Sequence, residues 1–176
     1  MRPWTILTGA LLLTSAVVLL LNALSESLRN HSAEARTVMN QQNTITLSNA
    51  NLVDVLAGSG LPVAAVEWEK DVLTLDLKIS SASASPAEAY GLICKAIELT
   101  LDRTNNVNRL MLRIDGVDEW TGTRHLLIAS DVRRGEVSPS TLQKLAAWKD
   151  PELPQELQST LRAAVTPLWH YRFAGS

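Results

Sequence analysis

Hydrophobic positions are unevenly spread along the 176-residue chain. No charged residue occurs between Arg2 and Glu26, and residues 4–25, "WTILTGALLLTSAVVLLLNALS", are almost wholly apolar. A helix crosses bilayer hydrocarbon with about 20 residues, so this run is long enough to span. Its threonines and Ser15 are tolerable because a helical hydroxyl bonds back to a carbonyl of its own helix, and Trp4 and Asn22 stand at interfacial positions. A cleaved signal has a shorter apolar region ending at small residues, and only Ala23 offers such a site. Residues 1–25 are therefore read as a retained transmembrane anchor, with a cleaved signal as the alternative. The short N-terminal flank favours the cytoplasm, which places the remainder outside. Residues 26–43 are polar, lack Gly and Pro, and read as a stalk.

From Thr44 the periodicity changes. "TITL" predicts a short strand, and Leu52, Val53 and Leu56 fall at helical spacing before a stop at Gly58. In residues 63–80 the pattern is alternating: Ala64, Val66 and Trp68 share one face, then Leu73, Leu75, Leu77 and Ile79, with Glu69-Lys70-Asp71 as the turn. Thr74, Asp76 and Lys78 take the opposite face of the second strand, which implies a sheet wet on one side. Ser85, Pro86 and Glu88 form a helix start of the Ser-x-x-Glu type, and Tyr90, Ile93, Cys94, Ile97 and Leu101 follow as one apolar stripe. Leu110, Leu112 and Ile114 then alternate with Arg109, Met111 and Arg113 in a strand ending at Asp115-Gly116. "TRHLLIAS" gives a further strand.

The tail, residues 131–176, predicts two short helices that start at Ser138-Pro139 and Asp150-Pro151 and stop at Pro167. The fold class is α+β: an N-terminal transmembrane helix followed by one small mixed sheet with helices packed on one face. The units are an anchor over 1–25, a stalk over 26–43, an α+β domain over 44–130 and a helical tail over 131–176.

Three stretches, "LTLDLKIS", "SASPAEAYGLICKAIELTL" and "NNVNRLMLRIDG", with "LVDVLAGSGLPVAAVEWEKDVLTLD" before them, resemble the GerMN domain of bacterial sporulation and spore-germination proteins. The similarity covers about residues 44–116. The chain departs from the pattern at its opening, where only "TITL" stands in place of a longer strand, and the tail lies outside it. The resemblance implies a membrane-anchored envelope protein that acts by assembly or by holding partners, and it supplies no catalytic residues.

Composition narrows the remaining classes. The net charge is −2 and the basic residues are scattered, so no nucleic-acid partner is expected. A single cysteine, Cys94, excludes an intramolecular disulfide and any multi-cysteine metal site. Its place in the apolar stripe predicts burial rather than nucleophilic use. His31, His125 and His170 are far apart and show no ligand spacing, and no Gly-x-Ser-x-Gly elbow or Gly-rich phosphate loop is present. Asp76 and Asp115 invite comparison with a paired-carboxylate couple, but solubility and turn chemistry account for both.

The aromatic residues point towards recognition. Trp68 fits the core, whereas Trp120 stands in the turn "DGVDEWTG" as a candidate interface anchor, packing on a tail helix being its alternative. Trp169, Tyr171 and Phe173 alternate in "LWHYRF", which either adds a strand to the sheet or docks on a partner. The sequence thus predicts a non-enzymatic, cofactor-free, single-pass protein of the cell membrane. Its soluble domain lies outside the cytoplasm, and its partners are other envelope proteins, self-association included. A small-molecule or cell-wall-fragment sensor is the alternative, and a cell-wall enzyme a third.

Overall fold

The computed structural model describes residues 44–80 and 84–174. The anchor and stalk expected over residues 1–43 lie outside the described residues. Among those described, no helix is long and apolar enough to cross a membrane.

The chain forms α1 (Leu52–Ser59), the hairpin β1 (Val63–Glu69) and β2 (Val72–Ser80), and α2 (Pro86–Ile97). It continues through β3 (Arg109–Val117), β4 (Arg124–Arg133), α3 (Pro139–Ala147), α4 (Gln155–Thr160), β5 (Ala164–Val165) and α5 (Pro167–Phe173). The strands make one five-stranded sheet in the order β1-β2-β3-β4-β5. β2 and β3 are parallel, and every other pairing is antiparallel. A parallel pair needs a crossover, which α2 provides. The fold is therefore α+β with a mixed sheet.

Leu73, Leu75, Leu77 and Ile79 of β2, with Leu110, Leu112 and Ile114 of β3, make the inner face of the two central strands apolar. Tyr90, Ile93 and Ile97 of α2, Leu142 and Leu145 of α3, Leu157 of α4 and Trp169 of α5 join these leucines in a single core. The tail shares that core and adds β5 beside β4, so residues 44–176 are one compact unit. The opposite face of the sheet carries Glu67, Glu69, Lys78, Met111, Arg113 and Arg133, all exposed.

Local chemistry sets the helix boundaries. The Ser85 hydroxyl accepts the Glu88 amide at 3.2 Å, and Pro86 occupies the first turn of α2. α1 runs past Gly58 and stops at Gly60, the residue that takes the left-handed φ of 66°. α2 passes into a π-helical turn, Glu98–Asp102. Arg134 closes that end, its guanidinium donating to the carbonyls of Leu101 and Val107 and to the Thr104 hydroxyl.

Several sequence expectations change. "TITL" is not a strand of the sheet; Ile45 makes an isolated parallel bridge with Thr104, and the Asn106 side-chain amide clamps both backbone groups of Leu47. Asp115 and Gly116 lie within β3, and the turn falls at residues 118–123 instead. Gly116 is suited to its strand position because a Cβ there meets Leu127 Cδ1 at 3.1 Å. The register shifts between β3 and β4 at Ile114 and Asp115. The shift lets Leu127 and Ile128, adjacent in sequence, both be buried.

The tail differs most. It holds three helices and a strand, not two helices. α4 begins after Pro154, not at Asp150-Pro151. Pro167 opens a helix rather than ending one, with the Thr166 hydroxyl accepting the Trp169 amide at 3.3 Å. "LWHYRF" is therefore helical and adds no strand.

Candidate functional site

The aromatic residues singled out from the sequence separate into two settings. Trp169 is fully buried. Its ring lies 5.7 Å from Tyr90 and 4.7 Å edge-on to Phe173, and its Nε1 donates to the Pro151 carbonyl at 2.8 Å. It organises the core instead of meeting a partner. Phe173 is half-buried against it, on the same side of α5 at a spacing of four residues. Tyr171, on the outer side of the helix, is 82% exposed.

Trp120 is 96% exposed, at the tip of the β3–β4 connection, and does not pack on a tail helix. The turn beneath it is well defined. Asp118 accepts the amides of Trp120 and Thr121 at 2.9 and 2.8 Å, its own amide donates to the Thr123 carbonyl, and Gly122 takes a φ of 68°. These amide hydrogen bonds hold the Asp118 carboxyl below its ordinary range. Apolar area is thus presented on a fixed support, the arrangement that costs least on binding.

Below this turn lies the face of the sheet that the other described residues leave exposed. Two bidentate pairs brace it: Arg113 with Asp76 at 2.6 Å through both nitrogens, and Arg109 with Asp131 at 2.7 and 2.8 Å. A third, Arg162 with Glu136, stands beside it at 2.7 and 2.8 Å. The arginines lower the Asp131 and Glu136 carboxyls. Burial, and then the neighbouring Asp76, raises Asp115. The sheet does bring Asp76 and Asp115 close, but Arg113 holds Asp76 in an ion pair on an open surface. Met111 and Leu126, 40% and 39% exposed, add apolar area to the same face. These pairs escaped sequence reading because they depend on strand register; the alternation of Arg109, Met111 and Arg113 was the available signal.

The other candidates are dispersed. Cys94 is buried, its thiol 3.5 Å from the Leu142 carbonyl, and burial followed by Glu98 pushes its pKa up to about 11. His125 is exposed on β4. His170 borders a hollow of about 210 Å³ with Pro151, Glu152, Leu153, Gln158 and Val165. That is smaller than the 300–1,000 Å³ usual for small-molecule sites. Among the described residues no three His, Cys, Asp or Glu side chains are grouped so as to hold a metal ion. His31 lies outside the described residues. Trp68 is half-buried on the core side of β1, and its enclosed Nε1 meets no hydrogen-bond partner among the described residues.

Among the described residues the arrangement is a charged, ion-paired sheet face with the exposed Trp120 indole on the adjoining turn, chemistry suited to binding. In comparisons with known proteins, the chain matches no family model, no curated protein and no solved structure.

Proposed function

We propose that this protein is a single-pass, membrane-anchored, non-enzymatic component of the bacterial cell envelope. It carries residues 44–176 outside the cytoplasm and works by protein–protein contact in assembly. The apolar run of residues 4–25 supports the anchor, and the resemblance over residues 44–116 supports a place in sporulation or germination. The observation that carries the binding role is Trp120, almost wholly exposed on a turn that Asp118 fixes. Tryptophan is among the residues most enriched at binding hot spots.

The test is a photo-crosslinking amino acid at position 120 of the full chain in cells, followed by membrane fractionation. The expected result is a membrane-pelleted protein crosslinked to a discrete envelope partner, with the complex lost in Trp120→Ala. Recovery in the soluble fraction, or a crosslink pattern no different from one at exposed Val53, would overturn the proposal.

A further inference from the structure

The open face of the sheet is self-complementary. Directly opposed residues share a face, so the register gives five rows on the open side of the sheet. They are Glu69–Val72–Arg109–Arg133, Glu67–Thr74–Met111–Asp131, Ala65–Asp76–Arg113–Ala129 and, from β2 to β4, Lys78–Asp115–Leu126 and Ser80–Val117–Arg124. The parallel pair β2–β3 is at the centre of these four strands.

A two-fold axis running along the strands between β2 and β3 exchanges β1 with β4 and β2 with β3 while keeping each row at its own level. Two copies stacked through that axis place Glu69 over Arg133 of the second copy, Asp76 over Arg113, Lys78 over Asp115 and Thr74 over Met111. Every contact occurs twice, as an isologous interface requires. The single like-charge meeting is Glu67 over Asp131, and Asp131 is already neutralised by Arg109; Asp76 and Arg113 are likewise paired within each copy, so Glu69 with Arg133 and Lys78 with Asp115 are the contacts that add charge pairing. A two-fold axis running across the strands at the level of Asp76 and Arg113 instead sets Asp76 over Asp76, Arg113 over Arg113 and Arg133 over Arg124, all like charges. The first arrangement is therefore the favoured one.

Shape agrees with charge. The β1 side of this face has a hollow of about 340 Å³ lined by Glu67, Glu69, Thr74 and Met111 among others. It lies where Arg133 and Met111 of the second copy descend. Aligned sheets cross at about 30°, an offset at the corners that the length of an arginine spans.

We infer that the open face of the β1–β4 sheet is a homodimer interface, with a second copy of this chain as its occupant. Four strands of about seven residues cover roughly 19 by 24 Å, about 900 Å² over both copies and below the range of standard stable interfaces, so the dimer is weak, and its charge contacts weaken it further with salt. The inference does not depend on membrane attachment or on Trp120.

Glu69 and Arg133 give the decisive test, because two strands separate them within one copy and they meet only between copies. The full chain in detergent micelles is followed by sedimentation equilibrium at low salt. Wild type dimerises, while Glu69→Arg and Arg133→Glu each dissociate at least tenfold more readily. An equimolar mixture of the two variants, carrying different tags, forms a one-to-one heterodimer, since both corner contacts are then of opposite charge. Circular dichroism checks folding, and the milder Glu69→Gln, which still weakens the dimer, serves if either reversal unfolds the chain. A monomeric wild type, or single variants that dimerise like wild type, overturns the inference. So does a mixture that fails to pair while both variants are folded. A dimer insensitive to every one of these changes places self-association elsewhere, residues 1–43 included.

Discussion

Tyr90 and Trp169 meet with ring centroids 5.7 Å apart and share an acceptor: the phenol hydroxyl and the indole Nε1 both donate to the Pro151 carbonyl, at 3.2 and 2.8 Å. Tyr90 also donates to the Asp150 carbonyl at 3.0 Å. Residues of α2 and α5, almost eighty positions apart, thereby hold the α3–α4 connection against the core. Both polar groups are satisfied, as buried aromatic residues with polar tips require.

Removing the hydroxyl and removing the indole should therefore differ sharply in cost. Tyr90→Phe gives up hydrogen bonds but keeps the ring, and is expected to lose about 1 kcal/mol. Trp169→Ala leaves a large cavity among Tyr90, Phe173 and the sheet, and is expected to lose about 3–5 kcal/mol. Urea unfolding midpoints measure both. A Trp169→Ala loss below that of Tyr90→Phe would contradict the placement of the indole.

Cys94 provides a probe of the α2–α3 contact. With its pKa pushed up to about 11, the thiolate is a minute fraction at neutral pH, and the buried sulfur is out of reach of reagent. A chromogenic disulfide reagent at neutral pH should react only as fast as the chain opens, and at once in denaturant. Stoichiometric reaction of the folded protein within seconds would show that the helices do not cover it.

How legible this fold was depended on the range of the interaction. The β1–β2 hairpin, the Ser85 start of α2 and the alternation of β3 were readable because their causes lie within a few residues. The tail was not. "LWHYRF" alternates like a strand, but as a helix it sets Trp169 and Phe173 on one side, against Tyr90. Pro167 suits a helix start as well as a stop, and the Thr166 cap decides between them. Asp115-Gly116 has the composition of a turn, but Leu127 of the next strand takes the space beside Gly116. On the open face, Asp76 and Arg113 were both legible as wet positions, and their pairing was not, because the register between parallel strands is set by the crossover.

The acidic limb of stability should depend on Asp131. Its folded carboxyl lies below the ordinary range, as do those of Glu136 and Asp118. A depressed carboxyl stabilises above its unfolded pKa, and that contribution is lost as pH falls through the folded value. Asp115 and Asp102 are shifted upward by burial and act in the opposite sense, offsetting part of the loss. The melting temperature is expected to fall as pH drops below about 4. Asp131→Asn should melt lower than wild type at neutral pH and show a shallower fall in acid; parallel curves for the two would refute the assignment.

Among the described residues, Lys70 at φ 57° and Arg162 at φ 43° adopt left-handed backbone without being glycine, and they should respond differently to glycine. Lys70 holds the β1–β2 turn, and relief of its backbone strain by Lys70→Gly is expected to stabilise by about 0.5–1 kcal/mol. Arg162 donates to the Asp131 carbonyl at 3.0 Å and grips Glu136 with both nitrogens. Arg162→Gly forfeits those bonds, so no net gain is expected. Thermal melting of the two variants side by side tests the contrast.

The clamp at the start of the described chain has a mechanical meaning. Ile45 exchanges hydrogen bonds with the backbone at Arg103 and Asn105, and the Asn106 amide grips Leu47 at 3.0 and 2.8 Å. Tension arriving along the backbone at Thr44 is borne first by these few bonds, close to the point where Arg134 locks the end of α2, and reaches the sheet only after they part. A pull on the leading end would therefore be met by these bonds before the sheet behind them is loaded.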